Sequence, residues 1–141
     1  MVGVIIVAHM RLAEELLKVA QIITSSTLDH FMAVSINLDD NPDQAREKLL
    51  KAVKAVDKGD GVIIIVDMFG GTPSNLSLSL LTRGKIEIVT GVNLPMIIEA
   101  AGSSQKVSIN ALVDMLTASG QREIRSAGEV LDKKVAERKE R

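Results

Sequence analysis

Short apolar runs alternate along this chain with amphipathic stretches. Val2 to Ala8 (VGVIIVA) and Val62 to Val66 (VIIIV) are rich in β-branched residues and show no polar face. Such runs read as strands buried on both sides, as in a parallel sheet. Phe31 to Leu38 (FMAVSINL) is a weaker strand, and Ile86 to Thr90 (IEIVT) is another. Between them the period becomes helical. Leu12, Leu16, Ala20 and Ile23 form one stripe, and Ala45, Leu49, Ala52, Val53 and Val56 form a second. Glu14 and Glu15 near the start of the first helix, with Lys18 farther on, follow the polarity that the helix dipole favours. Asp39-Asp40-Asn41-Pro42 and Lys58-Gly59-Asp60-Gly61 are turns.

After the Val62 strand come Asp67, then Gly70-Gly71-Thr72-Pro73. This predicts a glycine turn and a helix with Thr72 as N-cap and Pro73 as its first residue. Leu76, Leu80 and Leu81 lie on one side of it. Gly91 to Pro95 (GVNLP) leaves the fourth strand for a helix from Met96 to Ala101, interrupted at Gly102. Ile109, Leu112, Val113 and Leu116 continue helically until Gly120. Glu123 to Leu131 (EIRSAGEVL) reads as a short antiparallel final strand, and DKKVAERKER as a solvated, frayed tail. The expected architecture is α/β: an open, mainly parallel sheet of four strands plus the C-terminal strand, with helices on both faces. One domain is expected over residues 1–131, followed by a charged tail at 132–141.

Composition narrows the function. A net charge of -1 and 1% aromatic residues leave neither a basic surface nor stacking platforms for nucleic acid. The absence of cysteine removes disulfide, thiolate and zinc-thiolate chemistry. The N-terminus lacks the basic start of a signal peptide, and no apolar run approaches the roughly 20 residues that span a bilayer. The cytoplasm is the expected location.

Two strand ends carry groups capable of chemistry, His9 and Asp67. In a parallel sheet both fall on the carboxyl edge, where open α/β sheets bind ligands. A carboxylate accepting from Nδ1–H fixes the imidazole tautomer and leaves the Nε2 lone pair as a nucleophile. It also steadies the charge the ring gains on substitution. The helix starts near Arg11 and Pro73 offer N–H groups to an incoming phosphoryl group. No step needs a metal or an organic cofactor.

Each residue also has a structural reading. A histidine after a strand serves as a cap, an aspartate there accepts turn N–H groups, and glycines permit positive φ. The glycines match neither GxGxxG nor the P-loop. His30 has no partner at metal-ligand spacing and reads as structural. Asp39-Asp40-Asn41 lacks the other ligands of a calcium loop and reads as turn chemistry. The methionines read mostly as core filler, with Met10 and Met68 flanking the candidate site.

Three segments, GVIIVAHMRLAEELL, GVIIIVDMFGGTPSN and IVTGVNLPMIIEA, stand in register over about Val2 to Ala101. Together they resemble the IIA domain of the mannose family of the bacterial sugar phosphotransferase system. The resemblance implies that His9 accepts a phosphoryl group on Nε2 from the phosphocarrier HPr and passes it to a IIB component. It further implies that Asp67 orients His9, and that Thr72 and the Gly70–Gly71 backbone hold the phosphoryl group. A homodimer is implied, with exchange of a C-terminal strand like Glu123–Leu131, and contact with the membrane only through a permease complex. No fused IIB domain follows, so the expected acceptor is a separate chain.

Two positions depart from the family. Met10 replaces a glycine directly after the histidine, which bears on access for HPr and on the helix start. Met68 stands where a smaller or polar residue helps hold the phosphate, leaving that work to Thr72 and the backbone. Two alternatives accompany the transport role. One is a regulatory binding module switched by phosphorylation of His9; the other is a phosphoryl-donor subunit for dihydroxyacetone kinase.

Overall fold

The computed structural model describes residues 1–140. Within them β1 (Gly3–His9), α1 (Leu12–Thr24), β2 (Phe31–Ile36), α2 (Pro42–Val56), β3 (Val62–Val66), α3 (Thr72–Leu78) and β4 (Ile86–Thr90) alternate. Three helices follow: α4 (Leu94–Ser103), α5 (Ile109–Arg122) and α6 (Ala127–Glu140). The strands form one parallel sheet in the order β2-β1-β3-β4.

The sheet is two-sided because alternate residues of β1 and β3 enter different cores. Val4, Ile6, Ala8, Ile63 and Ile65 pack with Ala13 and Ala20 of α1, Ile97 of α4, and Leu112 and Leu116 of α5. Ile5, Val7, Val62, Ile64 and Val66 pack with Ala45, Leu49, Ala52, Val53 and Val56 of α2. Burying each such Val, Leu or Ile side chain contributes about 1.5–3 kcal/mol, so the continuous apolar runs are what hold the sheet between its helices. The chain leaves β1 toward one edge through α1 and returns across the sheet through α2 on the other face. Opposite directions thus use opposite faces, as a single crossover hand requires.

The stripe expected on α2 is the buried one. That of α1 is rotated: Ala13 and Ala20 are buried, whereas Leu12 and Ile23 are exposed. The close approach of α1 to β1 and β2 favours alanine on the inner line, with Leu16 and Leu17 half-buried beside it. Gly102 does not interrupt α4, and Gly120 does not end α5. A Cβ on Gly120 would lie 2.8 Å from Met96 Cε, so this glycine lets α4 and α5 approach each other. The Asn93 amide fastens the same contact by donating to the Gly120 carbonyl at 2.9 Å.

The final strand is not formed. Glu123 to Leu131 turns instead into α6, which runs to Glu140 and takes in the residues expected as a frayed tail. Ser126 and Glu129 have the S-x-x-E spacing of a helix start. The Glu129 N–H points to Ser126 Oγ at 3.5 Å, and the Val130 N–H bonds the Ser126 carbonyl at 3.1 Å. Without a strand in place beside it to accept its backbone, the segment closes its hydrogen bonds internally. No residue of α6 is buried.

Candidate functional site

β1 and β3 are neighbours, and the chain leaves them toward opposite edges of the sheet. A crevice opens beyond the strand ends at such a divergence. His9 is the last residue of β1, and Asp67 follows the last residue of β3. Fifty-eight residues apart in sequence, they are in direct contact.

Asp67 Oδ2 accepts from the His9 backbone N–H at 2.9 Å and stands 2.6 Å from His9 Nδ1. An ionised carboxylate only accepts, so Nδ1 carries the proton and the neutral ring keeps its lone pair at Nε2. Oδ1 takes the Met68 N–H at 2.9 Å. The Asp67 side chain is 11% exposed and that of His9 36%. Burial pushes the Asp67 carboxyl upward. The His9 backbone N–H, the His9 ring and its charge, and the Met68 N–H outweigh burial and hold it below its ordinary value. The anchor is therefore ionised at neutral pH.

The two glycines do different work. Gly70 has φ +89°, a backbone that side chains with a Cβ rarely adopt. Gly71 has an ordinary φ of -84°, but a Cβ there would lie 3.0 Å from His9 Cε1 and 3.5 Å from Nε2. Its absence leaves room at the Nε2 edge of the ring. Gly71 is also the N-cap of α3, its carbonyl accepting the Asn75 N–H at 3.0 Å. The cap is thus one residue earlier than expected: Thr72 opens the helix and makes no capping bond. With its hydroxyl not used as a cap, Thr72 lines a cavity of about 180 Å³ together with His9.

Asn37, Leu38 and Asp40, from the loop after β2, form the other wall of this cavity. Sequence reasoning missed them as site residues. Their only local signal is the turn, where Asn41 caps α2 by accepting the Asp43 and Gln44 N–H groups at 2.9 and 3.3 Å. What brings them to His9 is the pairing of β2 with β1, which sets His9 opposite Ile36 and bonds the Met10 N–H to the Ile36 carbonyl at 2.9 Å. Met10 has φ +53°, a backbone that glycine adopts more readily than a residue with a Cβ. Met10, Met68 and Phe69 make an exposed apolar rim.

His30 lies apart from the crevice. It is buried, stands 2.7 Å from Ser104 Oγ and meets Phe31 edge-on at 4.7 Å. Among the described residues no group of three or more His, Asp or Glu side chains is arranged to hold a metal. Among these residues no helix is long and apolar enough to cross a membrane.

Comparison with known proteins adds an independent line. A PTS system fructose-specific EIIA component of Bacillus subtilis (strain 168) is 30% identical over 89 residues, 62% of this chain and 61% of that protein. A PTS system sorbose-specific EIIA component of Lacticaseibacillus casei is 35% identical over 83 residues, 56% of this chain and 60% of that protein. The matched segments therefore span less than two thirds of either relative. Phosphotransferase system component EIIA from Streptococcus agalactiae superposes with a TM-score of 0.82 at 26% identity, covering 92% of this chain and 99% of that one. The mannose/sorbose specific IIA subunit from Enterococcus faecalis gives 0.79 at 31%, covering 89% and 93%. The EIIA-man family model, described as PTS system fructose IIA component, matches residues 3–117, which include every residue of the crevice. The chain belongs to that family of phosphotransferase-system IIA proteins.

Proposed function

We propose that the protein is a phosphohistidine carrier of a sugar phosphotransferase system. His9 accepts a phosphoryl group from HPr and passes it to a separate IIB component in sugar uptake. The observation that carries this reading is the 2.6 Å contact between His9 Nδ1 and Asp67 at the carboxyl edge of the sheet. The Nε2 lone pair attacks phosphorus in line, forming an N–P bond as the bond to the donor imidazole breaks. The leaving ring keeps the electron pair, and Asp67 balances the charge that develops on His9. Passing the group onward is the same step in reverse, toward a different acceptor.

Thr72 and the Gly70–Gly71 backbone hold the phosphoryl oxygens in this reading. His9 and Asp67 stand at the ends of the paired strands β1 and β3, so the sheet sets their separation. The exposed rim of Met10, Met68 and Phe69 is the kind of apolar surface that a docking protein covers.

The test is incubation with phosphoenolpyruvate, enzyme I and HPr, followed by intact mass and site mapping. An acid-labile gain of one phosphoryl group, absent from a folded His9→Ala variant, is the expected result. Asp67→Ala should label at least tenfold more slowly, because the ring loses control of its tautomer. Full-rate labelling of folded Asp67→Ala would refute the orienting role.

A further inference from the structure

The cavity beside His9 poses an electrostatic problem. A phosphoryl group brings nearly two negative charges at neutral pH, yet among the described residues no lysine or arginine lines the cavity and one carboxylate, Asp40, does. Ile36, Leu38 and Leu76 offer no donor from their side chains. Met68, directly after Asp67, offers none either. Besides His9 itself, the side chains of the lining that can donate are Thr72 and Asn37.

We propose that Asn37 is a phosphoryl-contacting residue, its side-chain amide donating to an oxygen of the group carried on His9. This rests on the reading of His9 as the acceptor. Asn37 directly follows Ile36, the β2 residue opposite His9, so its backbone is set by the sheet. Its N–H donates to Asp40 Oδ2 at 2.8 Å. That bond fixes the loop through the backbone and leaves the Asn37 amide for a ligand. It also engages the one carboxylate of the cavity. The amide has two N–H donors and no charge, so it costs little to keep hydrated when the site is empty. It supplies from the β2 side what Met68 does not supply from the β3 side.

The experiment compares wild type, Asn37→Ala and Asn37→Asp, each first shown to fold by circular dichroism. Each is phosphorylated through HPr and, separately, by phosphoramidate, a small donor that needs no docking surface. The lifetime of phosphohistidine and the resonance of the Asn37 side-chain amide are followed by NMR. In wild type the amide resonance should move on phosphorylation of His9. In Asn37→Ala, labelling rate or lifetime should fall about tenfold with either donor, the order expected for losing a hydrogen bond to a charged group. Asn37→Asp, close in shape but negative, should fall further. Wild-type rates and lifetimes in both variants, or an unmoved amide resonance, would overturn the role of Asn37 and leave His9 as the acceptor. Failure of the wild type to label with either donor would overturn both.

Discussion

Four neighbours constrain His9, and each can be varied alone. Asp67 fixes its tautomer, Asn37 and Thr72 line its cavity, and Gly71 clears the space beside Nε2. Gly71→Ala keeps an allowed backbone but places a methyl group against Cε1. The ring must rotate away or the loop must shift, and either weakens the 2.6 Å bond to Asp67. Labelling of His9 should drop at least tenfold while the unfolding midpoint changes little; labelling at the wild-type rate would mean that the loop yields freely. Met10 sets the opposite case, a side chain held at φ +53°. That conformation costs a residue with a Cβ roughly 1–2 kcal/mol, partly offset by the greater freedom of glycine in the unfolded chain. Met10→Gly should therefore raise stability by about 0.5–1 kcal/mol in urea unfolding. Of these residues, His9, Asp67, Gly70, Gly71 and Thr72 stood out in the sequence because strand ends and helix starts are local patterns. Asn37 and Asp40 did not, since their relation to His9 passes through a strand pairing.

At the level of elements, α2 and α6 are the informative extremes. The apolar stripe of α2 was legible because Ala45, Leu49, Ala52, Val53 and Val56 share one face and all of them are buried. In α6 the sparse apolar residues Leu131 and Val135 are exposed and belong to neither core. The pattern around Glu123–Leu131 suited a strand only if a neighbouring strand accepted it, and the sheet has none in place. A chain ending at Ser126 should accordingly unfold within about 0.5 kcal/mol of the full chain, as changes that remove no buried contact do. A larger loss would mean that α6 is covered in solution, by a second copy for example.

The whole molecule divides its ionisable burial between the two ends of the sheet. At the carboxyl end, Asp67 has a lowered pKa, so its contribution to stability is present above the ordinary value of 3.8 and is lost as pH falls through the lowered one. Toward the other end, burial holds His30 below its ordinary 6.5. The chain's N-terminal charge adds to this, and Asp29 opposes it. As pH falls below about 6.5 the unfolded chain binds a proton that the folded His30 refuses, so stability decreases with falling pH until the folded histidine is also protonated. Urea titrations between pH 7.5 and 5 should show this loss, and a folded His30→Gln variant should show a flatter profile. An unchanged slope in the variant would assign the effect elsewhere.

The amino-acid order determined the strands and most helices of this protein, because burial on two faces or one writes a period of its own into neighbouring residues. It also determined the chemical groups, a histidine and an aspartate each ending a strand before a turn. Tertiary structure alone decided the order β2-β1-β3-β4 and, with it, which ends meet. That order brings Asp67 to His9 from one side and the Asn37–Asp40 loop from the other. It also leaves Glu123–Leu131 without a strand to pair with. Pairing between strands distant in sequence depends on which packing buries both faces at once, and no local pattern encodes that choice.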